Sequence, residues 1–307
     1  MEPLRPADWS KSAILRAFGI PTLGGLQFWS DIRLHAGWRI QRHIVDGQFR
    51  LLDPNNRSRA SGSLDDCRRC FEALRREHAI YPPSDHLVLM IHGIARSAGT
   101  FRVLSETLGA KGYDATAITY ASTRGRIESH ADGLSDLLDA LDSTKTVSFV
   151  THSMGGLVLR HLLASERPWM DRVAVGRIVM IAPPNQGSVV AGRLKDNPFY
   201  ISLYGPAGQQ LVPEAVADMP GLPGRVFAII AGGRSDGKGF NPWLDGDNDG
   251  TVRVAETELP GAQATLTLPY RHGGISNRSG TVRAASEFIE TGRLSQSTKA
   301  QSERRDR

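Results

Sequence analysis

Val147-Ser148-Phe149-Val150-Thr151-His152-Ser153-Met154-Gly155-Gly156 is the stretch whose reading decides the fold. A mostly apolar extended run ends at Thr151, and an apolar helical pattern begins at Met154 and continues to Ala164. One serine sits between them, with two glycines close behind it. A strand that turns directly into a helix crowds its own backbone, so the flanking residues must be small. Such a turn pushes the serine hydroxyl out of the sheet edge, where a base can reach it. It also aims the first free N–H groups of the helix at whatever the oxygen attacks. Without that chemistry the segment reads as a helix start, with Ser153 as N-cap and the glycines as turn residues.

Strand and helix patterns alternate on either side of this turn. Extended runs are predicted at 86–92, 115–120, 146–151, 177–181, 226–231 and 264–268, and helices at 101–108, 130–141, 154–164 and 280–291. Near-continuous apolar strands alternating with helices predict an α/β fold: a mostly parallel sheet covered by helices on both faces. This unit occupies 81–292. Residues 1–80 form a small α+β extension, with extended runs at 38–45 and 48–53 around a hairpin signal at Asp46-Gly47. Ser63 reads as an N-cap, with Asp65 and Asp66 in the first turn of a helix to about His78. Cys67, Cys70, Phe71 and Leu74 share one face of that helix. The Cys-x-x-Cys spacing suits redox chemistry or half a zinc site, but no second pair exists, and both cysteines read as core. Residues 293–307 are Ser, Gln, Lys and Arg with little that is apolar, a disordered basic tail.

Of the 307 residues, 40% are hydrophobic and 22% charged, which excludes a wholly disordered or fibrous chain. No apolar run approaches the roughly 18 residues of a membrane-spanning helix. Met1 to Ser10 carries two prolines, Glu2 and Asp8, which is no secretory leader, and two cysteines make no disulfide framework. A cytoplasmic location is the expectation. The net charge of +5 sits in the flanks: 13 basic against 9 acidic residues in 1–80, 5 against 2 in 293–307, and 19 against 21 between them. A nucleic-acid protein concentrates charge in its working domain, so no nucleic-acid partner is expected.

The serine turn resembles the nucleophile elbow of the α/β-hydrolase superfamily, in particular its lipase and esterase branch. The usual pattern is Gly-x-Ser-x-Gly, and Thr151 stands at its first position. Leu89-Met90-Ile91-His92-Gly93-Ile94 resembles the His-Gly motif that follows an early strand in the same family. The likeness covers roughly 85–292 and no part of 1–80. It implies Ser153 as nucleophile, followed in chain order by an acid and a histidine. Of the two later histidines, His161 lies two turns down the helix after the elbow, leaving His272 in the loop after the last strand. The acid belongs after the strand at 226–231, where Asp236, Asp245, Asp247 and Asp249 are candidates. Asn248-Asp249-Gly250-Thr251-Val252 resembles the Asp-Gly-x-Val motif, which favours Asp249, with Asp247 second. The N–H groups of Ile94 and Met154 would form the oxyanion hole, each such donor contributing about 2.7–4 kcal/mol.

The likeness further implies hydrolysis of a small-molecule or lipid ester through an acyl-enzyme, with no cofactor and no metal. An acyltransferase or amidase on the same triad, or a non-catalytic binding protein on the same fold, are the alternatives. Oligomeric state stays open. Asp245, Asp247, Asp249, Gly250 and Glu256 also satisfy the EF-hand spacing, but prolines and glycines spoil both flanking helices. A calcium site using Asp245 and Asp247 alone stays open. The family inserts its cap where 185–223 lies. This stretch is Gly- and Pro-rich with weak helical signals at 211–217, so a large lid is not expected. Tyr200, Leu203, Tyr204 and Leu211 are candidates for an acyl pocket, or for core.

Overall fold

Two sheets form in the computed structural model, which describes residues 27–82 and 84–294. The first is antiparallel and runs in the order β1 (Trp29–His35), β2 (Trp38–His43), β3 (Phe49–Leu52) and β4 (Ser58–Gly62). The turn at Asp46-Gly47 joins β2 to β3, with Gly47 in the left-handed region. Helix α1 (Leu64–His78) follows, closed by a capping box between Ser63 and Asp66. Its apolar face covers the sheet. Cys67 is fully buried with Leu51 and Ile40, and Cys70, Phe71 and Leu74 pack around them.

Strands β1 and β4 lie outside the sequence expectation, for a physical reason. Ser58–Gly62 has no large apolar residue, and the one buried residue of β1 is charged, Asp31. Asp31 fastens β1 to the rest of the chain. Its N–H donates to the Thr119 carbonyl at 2.9 Å, and its Oδ2 accepts from the Thr119 N–H at 2.7 Å. Its Oδ1 accepts from Gln41 Nε2 at 2.8 Å, and Arg39 stands 3.7 Å away. Burial pushes the Asp31 carboxyl upward from its ordinary range, and Arg39 opposes that shift.

The second sheet is the parallel one expected. Strands β5 (His86–Ile91), β6 (Asp114–Ala117), β7 (Thr146–His152), β8 (Ala174–Ile181), β9 (Phe227–Gly232) and β10 (Ala264–Leu268) order as β10-β9-β8-β7-β5-β6. Every pairing in it is parallel. Helices α2 (Arg102–Gly109), α3 (Ile127–Asp139) and α4 (Met154–Leu162) alternate with the strands. Three short helices, α5 (Val189–Leu194), α6 (Pro198–Gln209) and α7 (Pro213–Val216), fill the cap region, and α8 (Ser279–Thr291) closes the described chain. On one face, α3, α4 and the cap cover Leu89, Ile91, Phe149 and Ile229. On the other, α2 and α8 cover Val88, Val150, Val179 and Ile230. Burying one such side chain contributes about 1.5–3 kcal/mol.

The cap is more helical than its sequence suggests. Pro206 stands inside α6, and Gly205 before it breaks the helical geometry at φ 60°, ψ −156°. Pro198–Gln209 is therefore two helical pieces across a kink, which periodicity does not reveal. The tail expected from residue 293 lies, from residue 295 onward, outside the described residues, as does the leader reading of residues 1–10. Among the described residues, no helix is long and apolar enough to cross a membrane.

Because Asp31 satisfies the buried Thr119 N–H, Asp31→Ala leaves that donor unpaired. We expect a loss of about 1–3 kcal/mol, read as a fall of several degrees in Tm. An unchanged Tm would mean that β1 does not fasten the extension.

Candidate active site

The carboxyl ends of β5, β7, β9 and β10 come together at one edge, where open α/β sheets form their binding crevice. Strand β7 runs straight into α4, and Ser153 sits between them at φ 53°, ψ −128°. A non-glycine residue there is strained, and such strain gathers at functional sites. The small residues explain how the turn is tolerated. A Cβ on Gly155 would lie 2.3 Å from the Ile91 carbonyl oxygen. A Cβ on Gly93 would lie 2.8 Å from the Ser153 Cβ. The Ser153 N–H donates to the Ile181 carbonyl at 2.9 Å, tying the turn to the neighbouring strand.

The Ser153 hydroxyl does not cap the helix. It lies 3.0 Å from His272 Nε2, and His272 Nδ1 lies 2.6 Å from Asp249 Oδ2. A carboxylate only accepts, so Nδ1 carries the proton and Nε2 presents its lone pair to the hydroxyl. Asp249 is 1% exposed, and its other oxygen accepts from the Thr251 and Val252 N–H groups at 2.9 and 2.8 Å. The His272 N–H donates to the Asp249 carbonyl at 3.0 Å, which locks the two loops together.

The rival acids are engaged elsewhere. Asp247 accepts from the N–H groups of Arg234, Ser235 and Asn248. Asp236 accepts from Lys238 and Gly239 and pairs with Arg234. Asp245 is exposed. Glu256 accepts from Val189, and from both the backbone and side chain of Arg253. The EF-hand positions therefore do not converge, and among the described residues no group of three His, Cys, Asp or Glu stands where it could hold a metal ion. His161 makes no contact with Ser153, Asp249 or His272 among the described residues.

The N–H groups of Ile94 and Met154 have no acceptor among the described residues. Met154 opens α4, where the first N–H groups of a helix are free by construction. Ile94 precedes Ala95, which is itself left-handed at φ 55°. Two polar residues absent from the sequence reading, Ser122 and Gln27, hold that loop. The Ala95 N–H donates to Ser122 Oγ at 3.0 Å, Ser122 Oγ donates to Gln27 Oε1 at 3.0 Å, and Gln27 Nε2 donates to the Arg96 carbonyl at 3.0 Å. Gln27 Oε1 also accepts from the Thr123 N–H at 3.1 Å. Gln27 is 1% exposed, and nothing in the flanking sequence marks it.

Two histidines beside the triad are fully buried and neutral. His92 donates from Nδ1 to the Gly93 carbonyl at 2.7 Å and stacks on Tyr120, whose hydroxyl donates to the His92 carbonyl at 2.6 Å. Burial pushes the His92 imidazole down to about 4. His152 donates from Nε2 to the His272 carbonyl at 3.1 Å, and its bare Nδ1 is buried with no partner among the described residues. Burial, with the neighbouring His272 adding to it, holds His152 well below the usual histidine range.

A cavity of about 440 Å³ opens above Ser153. Val190, Leu194, Tyr200, Leu203, Tyr204 and Leu211 are among the residues that line it, so all four residues proposed for an acyl pocket border the same space.

A family model described as a domain of unknown function (DUF7379) matches residues 66–229, more than half of the chain. The chain belongs to that family. The matched stretch holds Gly93, Ile94, Ser153 and Met154 and ends before Asp249 and His272. Among solved structures, the chain resembles the Bacillus licheniformis lipase BlEst2 in its mature form. The identity is 18% and the TM-score 0.53, over 67% of this chain and 91% of that one. The propeptide form of BlEst2 aligns at 17% identity and TM-score 0.55, over 69% of this chain and 51% of that one. These likenesses show an α/β-hydrolase fold. No curated protein matches the chain.

The buried histidines make stability depend on pH. His92 and His130 titrate at about 4 when folded and near 6.5 when unfolded, both through burial. Above pH 6.5 both states are neutral and the histidines add no pH dependence. Between about 6.5 and 4, only the unfolded chain gains protons, so stability falls as the solution is acidified. Tm should decline through that window; a Tm flat from pH 7 to 4.5 would contradict the burial of these rings.

Proposed function

We propose that this protein is a serine hydrolase of carboxylic esters, with Ser153 as nucleophile, His272 as base and Asp249 as its orienter. The observation that carries the reading is the unbroken chain from Ser153 Oγ through His272 to a buried Asp249, beside a cavity with an apolar wall. In the first half-reaction Ser153 Oγ bonds to the ester carbonyl carbon while its proton passes to His272 Nε2. The carbonyl oxygen becomes an oxyanion, for which the free N–H groups of Ile94 and Met154 are the donors. The carbon–oxygen bond to the alcohol then breaks, and the alcohol leaves with the proton from His272. Water repeats the sequence on the acyl-enzyme, giving the carboxylic acid and free Ser153.

Each part of the geometry has a use in that cycle. Asp249 keeps the imidazole in the tautomer that accepts at Nε2 and stabilises it when charged. The apolar wall suits a hydrocarbon acyl group. In this reading residues 81–292 are the catalytic unit, and the segment before them braces the oxyanion loop through Gln27.

Ser153→Ala should abolish labelling by a fluorophosphonate probe and lower ester turnover by about 10⁶ without lowering Tm. Asp249→Asn should lower turnover by about 10⁴, because the amide favours the wrong tautomer. Asp245→Asn should leave Tm unchanged, as exposed substitutions do within about 0.5 kcal/mol, and chelator should do the same. Retained labelling of Ser153→Ala, or equal losses for Asp245→Asn and Asp249→Asn, would refute the assignment.

A further inference from the structure

The space around Ser153 has two unlike sides. Beside the apolar cavity lies a second groove of about 510 Å³, lined by Gln27, Ser97, Thr100, Gly273 and Asn277 among others, none of them a large apolar residue. Ala95 and Arg96 border both spaces. An ester bound at Ser153 has two ends, and the acyl end belongs with Val190, Leu203, Tyr204 and Leu211. The alcohol end is then left to the polar groove.

Arg96 sets the charge of that groove. Its guanidinium makes no ion pair or hydrogen bond among the described residues, and no Asp or Glu lines either space. Other arginines of the region are occupied. Arg253 pairs with Glu256 at 3.1 Å, Arg234 with Asp236 at 3.0 Å, and Arg271 lies over the Phe240 ring at 4.8 Å. The backbone of Arg96 is held, because Gln27 Nε2 donates to its carbonyl. Its tip lies over the residue next to His272, where a Cβ on Gly273 would be 3.0 Å from Nη2. A side chain at 273 would press on the guanidinium tip, which would have to give way. An exposed guanidinium with no partner among the described residues, at the border of a site, presents a donor fork suited to phosphate or carboxylate oxygens.

We propose that the ester cleaved at Ser153 carries an anionic group, a phosphate or a carboxylate, on its alcohol side, and that Arg96 binds it. This rests on the ester-hydrolase reading above. The acyl chain occupies the apolar cavity, and the alcohol leaves from the polar groove with its charge against Arg96.

The test compares one acyl group, decanoyl, on three alcohols: glycerol, glycerol phosphate and glyceric acid. For the unmodified protein, kcat/KM should favour at least one anionic alcohol over glycerol by about tenfold or more, as charged hydrogen bonds allow. The anionic alcohol favoured identifies the group as phosphate or carboxylate. Arg96→Gln should bring the ratio close to one, Arg96→Lys should keep part of it, and added salt should lower it. No preference for either anion, or an equal preference in Arg96→Gln, overturns the proposal while ester hydrolysis itself stands. If no ester is cleaved and the fluorophosphonate probe leaves Ser153 unlabelled, the hydrolase reading falls and this inference with it.

Discussion

The turn at Ser153 is the constraint on which the rest of the molecule depends. A left-handed serine costs about 1–3 kcal/mol and persists only where its surroundings over-determine it. Here they do. Strand β7 is buried on both sides, α4 is buried along nearly its whole length, and Gly155 brings the helix start against the carbonyls ending β5. Relaxing the turn would require parting strand from helix, which would expose Phe149, Val150 and Leu157 together. The strain is therefore held by the core. Its effect is to turn the hydroxyl away from the cap position it would otherwise fill and toward His272.

Once that direction is set, the remaining chemistry is a matter of keeping partners in one arrangement. His272 sits on a loop, and loops move unless tied. Asp249 ties it twice, through the carboxylate to Nδ1 and through the backbone carbonyl to the His272 N–H. His152 adds a third tie at the His272 carbonyl. Burial keeps His152 uncharged, so it anchors the loop without adding a positive charge of its own beside the His272 imidazole.

The sequence discloses the parallel sheet because its strands are apolar on both faces, and that pattern survives without tertiary knowledge. It points to Ser153 and His272 through chain order and the likeness of the serine turn, and the fold brings the two side chains within hydrogen-bond distance. It is mute on β1, on Gln27 and on the cap helix α6, each for its own reason. The inward residue of β1 is Asp31, so an apolar pattern points the wrong way. Gln27 works through partners near 96 and 122, which no local window includes. Helix α6 is interrupted by Gly205-Pro206. The choice of Asp249 over Asp247 rests on motif likeness in the sequence and on hydrogen bonding in the fold. Asp247 spends its carboxylate on three backbone N–H groups, leaving only Asp249 aimed at the imidazole.

The antiparallel sheet before residue 81 has a physical reason to stay with the parallel one. The loop after β5 runs through His92-Gly93-Ile94 and then bends through a left-handed Ala95, a residue with no special tolerance for that conformation. Such a bend would relax if its backbone groups were free to seek other partners. Ser122 takes the Ala95 N–H, and Gln27 takes both the Ser122 hydroxyl and the Arg96 carbonyl, so one buried amide closes the loop from two sides. Gln27 is itself held by its place before β1, and β1 is fastened through Asp31 to Thr119. The segment matched by the family model begins at residue 66 and includes the loop but not its brace. The placement of the Ile94 N–H and of the Arg96 side chain therefore depends on the antiparallel sheet being folded and docked.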